Sequence, residues 1–169
     1  MIVVADSSVI ISLWRIQRLE LLRQLFGEVV IPFAVASEIS VHGKPGSDLL
    51  SETSWIKQVS LSDSTFAQRL MAGMSGMPGL DIGESEAIVL ALELKADALL
   101  IDDRHGRRVA ERMGVPIIGV AGILLQAKRA GFLVEIRPVL DDLVEEVGFR
   151  LSQKLYWHTL KLAGENQTS

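Results

Sequence analysis

The chain has 169 residues, 49% of them hydrophobic and 22% charged, with no cysteine and a formal charge of −4. That length suits one domain able to bury roughly 70% of its unfolded surface, and the apolar fraction excludes intrinsic disorder. The lack of cysteine excludes zinc–thiolate sites, iron–sulfur clusters and thiol nucleophiles, and the mild acidity argues against a strongly basic nucleic-acid binder while leaving room for a local basic patch.

Residues 1–14 carry Asp6 and no basic leader region, and the longest uncharged run, Met113 to Ala127, is broken by glycines and Pro116. At 15 residues it falls short of the ~20 that a spanning helix needs. The expectation is a soluble, cytoplasmic protein with no membrane partner.

Short apolar runs alternate with amphipathic stretches. Ile2-Val3-Val4-Ala5 reads as a strand ending at Asp6, and Ser7 to Phe26 shows helical spacing up to a stop at Gly27. Val29-Val30-Ile31 is a second strand closed by Pro32, and Phe33 to Ser40 starts a helix. Residues 43–54 and 73–80 are rich in Gly, Ser and Pro and predict loops, the second a candidate flap or partner surface. Between them lie an edge strand over Trp55 to Val59 and a short helix over Ser64 to Met71. Glu84 to Lys95 predicts a helix, 98–101 a strand, Arg104 to Met113 a helix, 116–119 a strand and Ala121 to Ala130 a helix. Pro138 to Val147 and Ser152 to Leu162 read as two amphipathic helices, with a polar tail from Gly164. Short strands apolar on both faces and separated by helices indicate an α/β fold with a parallel sheet covered on both sides. A unit over 1–135 and a helical C-terminal extension of the same domain over 136–163 follow, with 164–169 as the tail.

Open parallel sheets carry their functional groups at the carboxyl ends of the strands. Asp6 ends the first strand, Asp102 and Asp103 follow the strand 98–101, and Glu38 lies one to two helical turns beyond the second strand. Glu84 opens the helix that leads into 98–101, which simple βα geometry puts at the opposite rim unless the preceding loop brings it round. Several carboxylates without a Cys or His cluster suit hard divalent cations such as Mg²⁺ or Mn²⁺. Two such ions ~3.5–4 Å apart can activate a water and stabilise the leaving oxygen in phosphodiester hydrolysis. Each acid also has a structural reading: Asp6 as a helix N-cap, Glu38 as a complement to a helix dipole, Asp81 to Glu84 as a capping box, and Glu86 and Glu93 as solvated face residues. The adjacent pair Asp102-Asp103 is the hardest to explain on structural grounds.

At these residues the sequence resembles the PIN-domain family, and within it the PIN-like group related to the VapC toxins. The resemblance is carried by VVADSSVIISL around Asp6, VIPFAVASEI ending near Glu38, and the stretch from Leu80 to Gly119 that includes LDIGESEAIVLALEL and LLIDDRHGRR. The later GILLQAKRAGFL and GFRLS segments extend it over nearly the whole chain. It implies a three-layer Rossmann-like fold with a central, mostly parallel sheet and a Mg²⁺- or Mn²⁺-dependent ribonuclease site. On that pattern Asp6 is the first metal ligand, Glu38 the second family acid, Asp103 the strand-terminal acid and Asp102 an extra acid of the subgroup. Glu84 stands near the position where relatives carry Asp, and Ile101 replaces their Thr or Ser. The resemblance further implies a homodimer neutralised by a small antitoxin protein.

Arg104, Arg107 and Arg108, with His105 and Arg112 nearby, read either as a grip on RNA phosphates or as an ordinary solvated helix face. Two functions follow: a metal-dependent endoribonuclease, or a non-catalytic PIN-like module that binds RNA or protein, for which Ile101 and Glu84 argue. A haloacid-dehalogenase type phosphatase also begins with Asp after a strand, but that pattern wants a second Asp where Ser8 stands.

Overall fold

A computed structural model describes residues 1–42, 48–74 and 76–165 of the chain. Residues 43–47 of the expected loop over 43–54 and residues 166–169 of the expected tail from Gly164 lie outside these residues. Among the described residues five strands, β1 (Val3–Ala5), β2 (Val29–Ile31), β3 (Ile56–Gln58), β4 (Ala98–Leu100) and β5 (Ile117–Ile118), form one sheet in the order β3-β2-β1-β4-β5, every neighbouring pair parallel. Val4 is the centre of the register, opposite Val30 on one side and Leu99 on the other. All three residues of β1 and of β4 are buried, which is why these strands contain only Val, Ala and Leu.

Ten helices connect and flank the sheet among the described residues: α1 (Ser7–Arg15), α2 (Glu20–Phe26), α3 (Phe33–His42), α4 (Leu49–Glu52), α5 (Thr65–Ala72), α6 (Ile82–Glu93), α7 (Arg104–Arg112), α8 (Val120–Arg129), α9 (Arg137–Val147) and α10 (Gln153–Leu162). The sheet lies between them in a three-layer α/β arrangement, with α6 packed on β1, β4, α3 and α5, and α8 on α2 and α10. Two expectations need correction. The stretch expected as one helix over 7–26 is two, because Gln17 takes a left-handed conformation (φ 58°) and the chain turns there. The span 43–54 includes the short helix α4, held by Asp48 and Thr53 through backbone and hydroxyl bonds to its turns.

The C-terminal helices share the main core: Ile136, Val139, Leu140, Leu143 and Leu160 are buried with the strands. Their attachment is reinforced by Glu165, whose carboxylate accepts from Lys128 Nζ (2.7 Å), Ile136 N (2.6 Å) and Arg137 N (3.0 Å). No helix among the described residues is long and apolar enough to cross a membrane.

Candidate active site

The strand order reverses direction of growth between β1 and β4, and the crevice beyond their carboxyl ends is where open α/β sheets bind ligands. Asp6 directly follows β1 and its N donates to Leu100 O, at the end of β4, at 2.9 Å; Asp103 lies three residues past that end. Asp6 caps α1: its Oδ2 accepts from Ser8 Oγ at 2.7 Å and more distantly from Ser8 N. Asp103 caps α7, with Oδ2 accepting from His105 N (2.7 Å) and Gly106 N (2.9 Å). Both acids are anchored by the helix they cap, and the Ser7 N–H adds a further backbone bond to the Asp6 carboxylate.

Glu38 joins from α3, where its Oε2 accepts from Ser7 Oγ. Gly83 makes this approach possible, since a Cβ there would lie 2.7 Å from Glu38 Oε2 and closer still to Oε1. Glu84 is 9% exposed and forms the capping box of α6 with Asp81, donating its N–H to Asp81 Oδ1 at 2.8 Å. Its carboxyl carbon lies 3.5 Å from where a Gly106 Cβ would stand, at the first turn of α7. Gly83 is thus the glycine whose side chain would collide with an acid of the site, whereas a Cβ at Gly106 would touch Glu84 only at ordinary contact distance and meet Ile101 Cδ1 first.

The expectation that Glu84 belongs at the opposite rim is corrected. A helix returning between parallel strands runs antiparallel to them, so the first turn of α6, not its last, sits at the carboxyl rim. Asp81, read from the sequence only as a cap, stands there with Glu84 and adds a fifth acid. The signal was present as an acidic N-cap on a helix that starts at the functional edge.

Charge ties these acids together. Burial lifts the Asp6 carboxyl from its ordinary 3.8 to about 6, with Asp81 and Glu38 adding repulsion and the Ser8 hydroxyl opposing it. Burial also lifts Glu84 from 4.5 to about 8, and Asp81, Asp103 and Asp6 push it further in the same direction. None of the five acids forms an ion pair among the described residues. The carboxylates surround a crevice rather than closing on one point: no three His, Asp or Glu side chains among the described residues stand close enough to hold an ion as placed. Their oxygen donors and unneutralised charge nonetheless fit a hard divalent cation.

Asp102, expected as a metal ligand beside Asp103, faces elsewhere. Successive residues leaving a strand direct their side chains to opposite sides, and both Asp102 oxygens lie 3.1 Å from Val120 N at the start of α8. Burial raises its carboxyl to about 6, opposed by the Val120 N–H and by Arg107. Arg107 donates to Ile101 O at 3.2 Å and is half-buried, whereas Arg104 and Arg108 are exposed. Ile101 is fully buried and its Cδ1 fills the space under Gly106.

Other acids expected to be solvated are engaged. Glu86 accepts from Ala34 N at 2.9 Å and Glu93 from Ser62 N at 2.8 Å, tying α6 to its neighbours. The expected flap is also pinned in its described part. Met74 and Met77 form an antiparallel bridge and pack on the core, and His105 Nε2 lies 2.8 Å from Pro78 O. Ser75 lies outside the described residues.

Residues 2–165 match the family described as the PIN domain. The chain belongs to the PIN-domain family. The PIN domain fold generally implies nuclease activity. A solved PilT N-terminus domain protein from the hyperthermophilic archaeon Sulfolobus solfataricus P2 is similar in structure, with a TM-score of 0.53 and 22% identity over 75% of this chain and 93% of that one. At that identity the likeness speaks for the fold. This PIN domain has no match among curated proteins.

Proposed function

We propose that this PIN domain is a divalent-metal-dependent endoribonuclease, with Asp6, Glu38, Asp81, Glu84 and Asp103 as the acids of its site. The observation that carries the reading is five carboxylates at the β1–β4 crevice, two of them buried with strongly raised pKa values and none neutralised by a described cation. Asp6 and Asp103, each held in place by the helix it caps past a strand's carboxyl end, are the ligands for Mg²⁺ or Mn²⁺ in this reading. Asp102 is set aside as a ligand because its carboxylate is committed to α8. A bound divalent ion supplies an activated water and offsets the charge developing on the phosphate.

The chain's own residues do the positioning. Ser8 and the start of α7 fix the rotamers of Asp6 and Asp103, and Ser7 holds Glu38 toward the crevice. Glu84, protonated near neutral pH when no cation is present, can give up its proton as positive charge arrives. Arg104 and Arg108 lie exposed on α7, the helix that Asp103 caps, and suit contacts to flanking phosphates. The VapC-like motifs support a finer reading, a homodimeric toxin restrained by a small antitoxin protein in the cytoplasm.

The test is cleavage of structured RNA with Mn²⁺ or Mg²⁺ by the natural chain, Asp6→Asn and Asp103→Asn. Both variants should lose activity by 100-fold or more, roughly the scale of losing a preorganised electrostatic group. Equal cleavage by all three proteins removes the reading. The competing reading is a non-catalytic RNA- or protein-binding module, favoured by the open spacing of the acids and by Ile101. Mn²⁺ calorimetry separates the two, since a module of that kind shows no heat that depends on Asp6 or Asp103.

A further inference from the structure

A second recess, of about 850 Å³, opens on the far side of β4 from the acids. Asp102 lines it while Asp103 belongs to the acidic crevice, so the two meet at one backbone step. Its walls are α7, the end of β5, the start of α8 and the linker between α9 and α10. Arg104, Arg107, Arg108 and Arg150 face Asp102 and Glu111 there, an excess of cations in a chain of net negative charge. Arg104, Arg108 and Arg150 form no ion pair with a described acid. The start of α8 is already occupied by Asp102, so the arginines, not the helix end, supply the positive field. Phe149 and Leu151 add half-buried apolar surface to the same recess.

We infer that this groove binds an unpaired stretch of RNA beside the scissile phosphate, with Arg104, Arg108 and Arg150 on its backbone and Phe149 as a platform for one base. Cations alone would suit any polyanion. An aromatic side chain among them favours a single strand, whose bases are free to stack, over a duplex, whose bases are not. The linker after α9 thereby becomes part of substrate selection and not only a packing element. The inference rests on the ribonuclease reading for the kind of nucleic acid bound, but binding can be measured without cleavage.

The experiment is anisotropy of a labelled oligouridine and of an RNA duplex of equal length, in EDTA, with the full chain, Phe149→Leu and the double variant Arg108→Ala/Arg150→Ala. Leucine keeps the bulk that Phe149 contributes to the core, and thermal melts check that each variant is folded. Phe149→Leu should weaken the single strand about fivefold or more and leave the duplex unchanged. The double variant should weaken both and lower the salt slope by roughly one to two. Unchanged affinities in both variants overturn the groove, as does an equal loss for duplex and single strand in Phe149→Leu. An oligoglutamate peptide that displaces RNA at matched charge also overturns it, because the groove would then be a protein-docking surface. Groove-dependent binding by a chain that cuts no RNA sinks the ribonuclease reading alone, whereas cleavage with groove variants that bind normally sinks the groove alone.

Discussion

Asp6 has two duties that pull in opposite directions. As a cap it needs only one oxygen, which the Ser8 hydroxyl and amide occupy; as a buried acid facing other acids it is held partly protonated near neutral pH. Asparagine caps about as well as aspartate, so Asp6→Asn should fold, lose Mn²⁺ binding and be more stable than the natural chain at pH 8 without metal. Thermal melts in EDTA read this directly. Asp103→Asn should likewise keep α7, whereas Asp103→Ala should lose the cap as well, about 1 kcal/mol. Gly83→Ala tests the closest approach in the site. A methyl group there collides with the Glu38 carboxylate, so activity should fall at least tenfold while Gly114→Ala, in open space but at positive φ, should change only stability.

At the level of elements, the break between α1 and α2 depends on one unfavourable residue. Gln17 adopts φ 58°, a conformation that costs a non-glycine residue roughly 1 kcal/mol. Gln17→Gly should therefore raise the melting temperature by about 1–4 °C, the range for a gain of up to ~1 kcal/mol in a chain this long. The expected single helix failed here because helical spacing of Leu19, Leu22 and Leu25 continues across the break; periodicity records which face is buried, not whether the axis is continuous. Glu165 makes a different element-scale point. It satisfies the Lys128 ammonium and two amides at the start of α9, so Glu165→Ala should destabilise the fold by about 1–3 kcal/mol per stranded group at most, measurable by urea titration.

For the molecule as a whole, stability and metal binding are coupled through the acids. Asp6 and Glu84 hold their protons more tightly in the folded chain than in the unfolded one, with values of about 6 against 3.8 and about 8 against 4.5. Their contribution is therefore fully present below pH ~4 and is lost as pH rises through 6 and 8, on the order of 3 kcal/mol for Asp6 alone. Metal-free protein should melt progressively lower from pH 4 to pH 8. Saturating Mn²⁺ should restore most of the loss at pH 8 and little at pH 5, where protons compete. A flat profile in EDTA would show that the carboxylates are not in conflict.

The sequence by itself determined the α/β class, the parallel sheet and the placing of Asp6 and Asp103 after strands, because buried strands must be apolar throughout and an acid at a strand end breaks that pattern in one dimension; Glu38, inside a helix, was singled out by the family resemblance. Burial on both faces and strand-end position are local properties that a reader can see in order along the chain. Only the tertiary structure decided that Asp81 and Glu84 reach the crevice, that Asp102 turns toward α8, and that Phe149 and Arg150 come beside Arg104. Those outcomes depend on helix direction, side-chain alternation and the return of a distant linker, each of which brings together groups that sequence spacing leaves far apart.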